Sequence, residues 1–263
     1  LVSMEAGCTL ETSATIINDL IHCKYTINSI IKMRKLYPTM NDLLHPLRFK
    51  LIFFLALSLV NLSSLKAQFT PGKLAVLVIG DGVAPRTSAA TPLFIREYNL
   101  SGTAQSGNLI TTLPATAVSG TGSVNRAVTQ SGTAGSEGFL NLSMDRQFLT
   151  LTGYNTTAGT AAVATSVATT FPTNTRVIAK INAGGGSDTK TTLFTAYSGT
   201  ALRSAVTIDG SAYWTAGAPG TIGVGYVPQG NVTAATNLNA GNTRGIGIFN
   251  NQLYASTGSG SNR

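Results

Sequence analysis

The sequence predicts an all-β fold, and three observations carry that expectation. Beyond Ala67, short β-branched and aromatic runs alternate with Gly, Asn, Asp and Pro punctuation, the pattern of antiparallel strands joined by turns. No window of useful length over the same stretch repeats apolar residues at the 3.6-residue period of a helix. The composition agrees. Of 263 residues, 11% are charged, 43% are hydrophobic and 28 are glycine, whereas roughly a quarter of an average soluble protein is charged. Low charge with that much apolar content argues against disorder. Together these features exclude a helical bundle and a nucleotide-binding α/β enzyme.

The first 67 residues differ from the rest. They hold one glycine of the 28, both cysteines (Cys8, Cys23) and both histidines (His22, His45). Residues 40–67 read as a secretory signal peptide. Arg48 and Lys50 give the positive start, Leu51–Val60 is a ten-residue apolar run, and Ala67 is the small residue at the exit. A spanning helix needs ~20 apolar residues, so this run is too short for a membrane anchor. Lys66 and Leu65 next to the exit leave the cleaved bond open. Residues 1–39 then read as a non-native or disordered upstream extension, too short to bury a core of their own. No disulfide is expected, because both cysteines lie in that stretch. The expected product is an exported body of residues 68–263, secreted, surface-bound or periplasmic, with no membrane span after cleavage.

Within the body, the strand candidates follow in order. Leu74–Ile79 is a β-branched run followed by Gly80-Asp-Gly82, and Leu93–Tyr98 is a second run of β-branched and aromatic residues. Three eleven-residue windows then align without gaps: Ser143-Met-Asp-Arg-Gln-Phe-Leu-Thr-Leu-Thr-Gly153, Thr207-Ile-Asp-Gly-Ser-Ala-Tyr-Trp-Thr-Ala-Gly217 and Ile248-Phe-Asn-Asn-Gln-Leu-Tyr-Ala-Ser-Thr-Gly258. Asp145, Asp209 and Asn250 share the third place, where a side chain that tolerates left-handed backbone reverses the chain. Leu149, Tyr213 and Tyr254 share the seventh, and Gly closes each window. An arginine opens two of the units, in Arg203-Ser-Ala-Val-Thr and Arg244-Gly-Ile-Gly-Ile, and Asn125-Arg126-Ala-Val-Thr129 reads as the same opening in the first, with an insertion before Ser143. Between the windows, Ala158–Thr170 is small-residue loop or edge strand, Arg176–Ile181 is a strand, and Val224–Val227 is another.

The windows lie 64 and 41 residues apart. A period of ~40–50 residues with several strands per unit is the signature of a propeller blade. The Ser143-Met-Asp145-Arg-Gln-Phe148-Leu pattern resembles the Ser-x-Asp-Gly turn and aromatic strand of seven-bladed and related propellers. Phe69-Thr-Pro-Gly72, Gly80-Asp-Gly82, Thr91–Tyr98 and Ser136-Glu-Gly138 are similar to uncharacterised secreted propeller-like repeat proteins of Bacteroidota-type bacteria, over essentially all of 68–263. That resemblance implies export and a β-propeller-like array of antiparallel blades in a longer protein, and it carries no activity. The third unit ends close to Arg263, so the expected array is incomplete at its C-terminal side, with an open blade edge prone to association.

The candidate chemistry is sparse. Residues 68–263 contain neither His nor Cys, which excludes Ser-His-Asp and Cys-His devices and the usual zinc sites. Six carboxylates remain: Asp81, Glu97, Glu137, Asp145, Asp188 and Asp209. Asp145 and Asp209 already have a turn-forming explanation, and no Asp-rich loop offers a calcium site. Glu97 with Glu137 could form a glycosidase pair, the alternative to a non-enzymatic reading. Gly120-Thr-Gly122 and Gly184-Gly-Gly186 lack the continuation of a phosphate loop. Eleven Lys/Arg against six acids form no cluster, so nucleic acid is not an expected partner. Arg126, Arg203 and Arg244 could line a channel, although bonding to backbone carbonyls or to a carboxylate is the preferred reading. Trp214 is expected in packing. The expectation is thus an exported, non-enzymatic binding or structural protein with no cofactor or metal, facing an extracellular ligand such as carbohydrate or protein.

Overall fold

The computed structural model describes residues 69–102, 107–218, 220 and 222–258. The expected upstream extension 1–39 and signal peptide 40–67 lie outside the described residues. The described chain is all-β, with antiparallel sheets, none of them closed. No helix among the described residues is long and apolar enough to cross a membrane.

The chain opens with β1 (Lys73–Ile79), β2 (Ala90–Thr91), β3 (Leu93–Asn99), β4 (Asn108–Thr112) and β5 (Gln130–Ser131). Strands β1, β3 and β4 form one sheet, while β2 pairs with β5. A four-stranded meander follows: β6 (Asn141–Leu142), β7 (Phe148–Tyr154), β8 (Arg176–Asn182) and β9 (Ser187–Leu193). A second comprises β10 (Leu202–Val206), β11 (Ala212–Gly217), β12 (Val224–Pro228) and β13 (Thr236–Asn239). The hairpin β14 (Thr243–Phe249) and β15 (Gln252–Thr257) completes the described chain. The 64-residue gap between the first two windows holds the third and fourth strands of the first meander. Ala158–Thr170 is loop apart from a 3-10 turn at Val163–Thr165.

All three aligned windows begin at a hairpin turn. Asp145 Oδ1 accepts the Gln147 N–H at 3.0 Å, and Arg146 takes a φ of 61°. Asp209 Oδ1 accepts the Ser211 N–H at 3.0 Å beside Gly210 at φ 82°. Asn250 and Asn251 are both left-handed, at 48° and 61°, as a tight two-residue hairpin requires.

The sheets pack face on face in chain order, each face supplying its apolar alternate residues. Leu93 and Ile95 of β3 meet Leu149 and Leu151 of β7 and Val177, Ala179 and Ile181 of β8. On the other face of β8, Ile178 packs with Leu202, Ala205, Tyr213 and Val227 of the second meander. Val206, Ala216 and Val224 in turn meet Ile246, with Trp214, Ile248 and Leu253 alongside. Trp214 also packs edge-on against Tyr226 at 5.6 Å. Strands β7 and β10 are therefore buried on both faces. Threonine bridges the layers where aliphatic side chains do not: Thr150 Oγ1 donates to the Ala205 carbonyl at 2.7 Å and Thr152 Oγ1 to that of Leu202 at 3.0 Å.

Asn125–Thr129 was expected as the opening of the first unit, with an insertion before Ser143, and β7 pairs near its turn with β6, Leu142 opposite Leu149. Thr129 instead forms an isolated bridge to Tyr154, at the far end of β7. Both segments flank the same strand, so the opening strand is split by an excursion through residues 130–140. Gln130 Nε2 fills part of the break by donating to the Thr152 carbonyl at 2.6 Å.

Candidate functional site

The arginines that open the units are structural in geometry. Arg126 is fully buried, and its guanidinium donates to the carbonyls of Val118 at 2.9 Å and of Gly120 and Gly122 at 3.0 Å each. It also lies 5.0 Å from the centre of the Phe171 ring. Arg203 donates from Nη1 to Asn242 Oδ1 at 2.6 Å and to the Thr243 carbonyl at 2.7 Å, tying β10 to the start of β14. Arg176, which the sequence hides inside an ordinary apolar run, is a third buried member. Its Nε and Nη2 donate to the Thr200 carbonyl and its Nη1 to that of Asn174, with the guanidinium 5.0 Å over the Tyr154 ring. Burial lowers the pKa of each of these guanidiniums. Arg244 is half-buried.

The carboxylates divide in the same way. Asp81, Glu97, Asp145, Asp188 and Asp209 all accept main-chain N–H groups. Glu97 is buried and takes the N–H of Thr70. Glu137 is the exception. It sits half-buried in the loop before β6, its carboxyl facing the Tyr154 hydroxyl and attracted by Arg176 and Arg203. Glu137 Oε2 and Tyr154 Oη are buried yet complete no hydrogen bond of normal geometry. Glu97 serves the Thr70 N–H, whereas Glu137 belongs to the group of Tyr154, Arg176 and Arg203.

Desolvation raises the pKa of Glu137, against the smaller lowering effects of Tyr154, Arg176 and Arg203. Burial and the adjacent Glu137 carboxylate push the Tyr154 phenol well above its ordinary range. For a carboxyl raised in the folded state, the folded form holds more protons than the unfolded one, so stability falls as pH rises. The fall begins near the unfolded value of 4.5 and ends above the raised folded value. Glu137→Gln is therefore expected to flatten this part of the stability-versus-pH curve, measured by chemical denaturation from pH 4 upward. An unchanged slope in the variant would assign the dependence to other groups.

A recess of about 800 Å³ opens on the other side of β3. Its walls are the Gly80–Arg86 loop and the outward side chains of Arg96 and Tyr98. Leu93, Ile95 and Glu97 point into the core, so Phe94, Arg96 and Tyr98 alternate outward. Gly107 fixes two of them. Its carbonyl accepts Arg96 Nη1 at 3.2 Å, and the Tyr98 ring lies where a Cβ on Gly107 would be 2.5 Å from its Cζ. On the facing loop, Asp81 Oδ1 accepts the N–H groups of Val83 and Ala84, which holds its pKa below the usual value. Arg86 is exposed and also borders a second recess of about 480 Å³ with Gly132, Thr133 and Ala134. A third, about 400 Å³, is lined by Phe148, Lys180, Asn182 and Asp188 at the turn end of the first meander. There Lys180 Nζ sits 4.9 Å over the Phe148 ring and donates to the Gly210 carbonyl.

The sequence reading missed Arg86, Arg96 and Tyr98 as site residues. The signal available was the i, i+2 spacing of Arg96 and Tyr98, which puts both on one face of a strand. Among the described residues, no group of three or more His, Cys, Asp or Glu is placed to hold a metal ion. The chain matches no family model, no curated protein and no solved structure.

Proposed function

We propose that this chain is an exported, non-enzymatic binding or structural protein built on a β-propeller-like scaffold, its leader a cleaved signal peptide. The observation that carries the reading is the use of the polar side chains. Five of six carboxylates cap main-chain N–H groups, and the buried arginines cap carbonyls, so these groups serve the scaffold. The stacking of four-stranded meanders in chain order supports blades around an axis, since each blade in a propeller packs on its sequence neighbours. What remains for an external partner is the open surface, with the β3 recess of about 800 Å³ its candidate concavity.

The second reading, a secreted carbohydrate-active hydrolase or lyase, is favoured by one observation: Glu137 is half-buried beside Tyr154 with a raised pKa, as a general acid requires. A panel of polysaccharide and ester substrates separates the two. No turnover is expected. Turnover that Glu137→Gln abolishes would establish the enzyme.

A further inference from the structure

We propose that the recess between the Gly80–Arg86 loop and β3 binds a carboxylated saccharide, with a sugar ring on Tyr98 and its carboxylate on Arg86 and Arg96. The inference rests on the binding function proposed above and names the ligand class. Arg96 and Tyr98 are positioned before any ligand arrives, since Gly107 holds the guanidinium through its carbonyl and packs flat against the ring. Both side chains are half-buried, so little rotamer freedom is left to lose on binding. Two arginines line the recess with one carboxylate, Asp81, which is turned onto its own loop. The lining therefore favours an anion.

The aromatic ring narrows the class. An inorganic anion or a lone carboxylate gains nothing from Tyr98, whereas the C–H face of a pyranose packs on a ring of this kind while a planar guanidinium takes the carboxylate through paired N–H groups. A volume of about 800 Å³ falls in the range of small-ligand sites and admits a short oligosaccharide. The second recess, which Arg86 also borders together with Gly132, Thr133 and Ala134, gives a longer chain a continuation.

Titration calorimetry of the full chain with trigalacturonate, maltotriose and tetraglutamate tests the assignment. Trigalacturonate is expected to bind with a Kd at or below about 1 mM, and maltotriose at least about tenfold more weakly. Tyr98→Ala should weaken the uronide about tenfold and Tyr98→Phe hardly at all, because the ring face and not the hydroxyl makes the contact. Arg86→Gln alters an exposed side chain that the fold does not need. It should also weaken the uronide about tenfold and reduce the salt dependence of binding. Maltotriose binding as tightly as the uronide would overturn the proposal. So would tetraglutamate binding equally well with Tyr98→Ala silent, which assigns an acidic peptide, or a folded chain that binds no uronide. Cleavage of the trisaccharide, read as new reducing ends, would support the recess and overturn the non-enzymatic function instead.

Discussion

Arg126→Ala is expected to lower the stability of the fold by about 3–5 kcal/mol, from the loss of several buried hydrogen bonds made by a charged group. The substitution strips the donors from three carbonyls, those of Val118, Gly120 and Gly122, in a place where water does not reach the guanidinium. Each hydrogen bond to a charged group contributes about 1.5–3 kcal/mol, and an orphaned buried acceptor adds its own desolvation cost. The loss also frees the 118–122 loop from the packing of Arg126 on Phe171. Arg244→Ala is the control, since that side chain is only half-buried, and it should change stability by less than about 1 kcal/mol. Equilibrium unfolding in urea measures both. Equal small losses at the two positions would show that Arg126 does not hold the loop.

Gly217→Ala is expected to cost about 3 kcal/mol, at the upper end of the range for overpacking. The direction is diagnostic, because glycine to alanine at an ordinary backbone conformation stabilises by about 0.4–1 kcal/mol. Here an added Cβ would lie 2.3 Å from Tyr197 Cε1 and 2.7 Å from the Ala201 carbonyl oxygen. Retreat is blocked, since the Gly217 N–H donates to Gly223 O and Thr243 Oγ1, both at 2.9 Å. The aligned Gly153 would place a Cβ 2.7 Å from the Thr129 carbonyl and from Val128 Cγ1. At Gly258 the nearest atom is Arg244 Nε, at 2.7 Å, the end of a flexible side chain. The expected order of loss is therefore Gly217→Ala and Gly153→Ala well above Gly258→Ala, read as midpoints of denaturation. A stabilised Gly217→Ala would mean that the close approach to Tyr197 does not exist in solution.

These glycines show what could be read from the sequence and what could not. Their recurrence at the end of each aligned window is visible in the letters. The reason is tertiary: another element packs against the backbone at each one, a ring at Gly217, a main chain at Gly153 and a guanidinium at Gly258. The hairpin turns were legible because Asp145, Asp209 and Asn250 act within two residues of themselves. The insertion before Ser143 was legible too, but that Thr129 and Leu142 reach the same edge of β7 shows only in the fold. Arg126 and Arg203 stood out as strand openers, while Arg176 begins an apolar run like any other. The recess was hidden for the same reason, because the Gly80–Arg86 loop meets Arg96 and Tyr98 only when β1 pairs with β3. Glu97 was a reasonable acid on paper and is a backbone cap in the structure.

Hydrogen exchange of the full chain, followed by mass spectrometry of its peptides, tests most directly the claim that successive hairpins stack sheet on sheet. Strands covered on both faces should exchange slowest, so Phe148–Tyr154, Arg176–Asn182, Leu202–Val206 and Ala212–Gly217 are expected to form the most protected group. Thr236–Asn239 and Gln252–Thr257, exposed along nearly all their length, should exchange fastest among the strands. Protection of Leu202–Val206 no greater than that of Gln252–Thr257 would contradict the stack, because β10 is then not enclosed between the first meander and the β14–β15 hairpin.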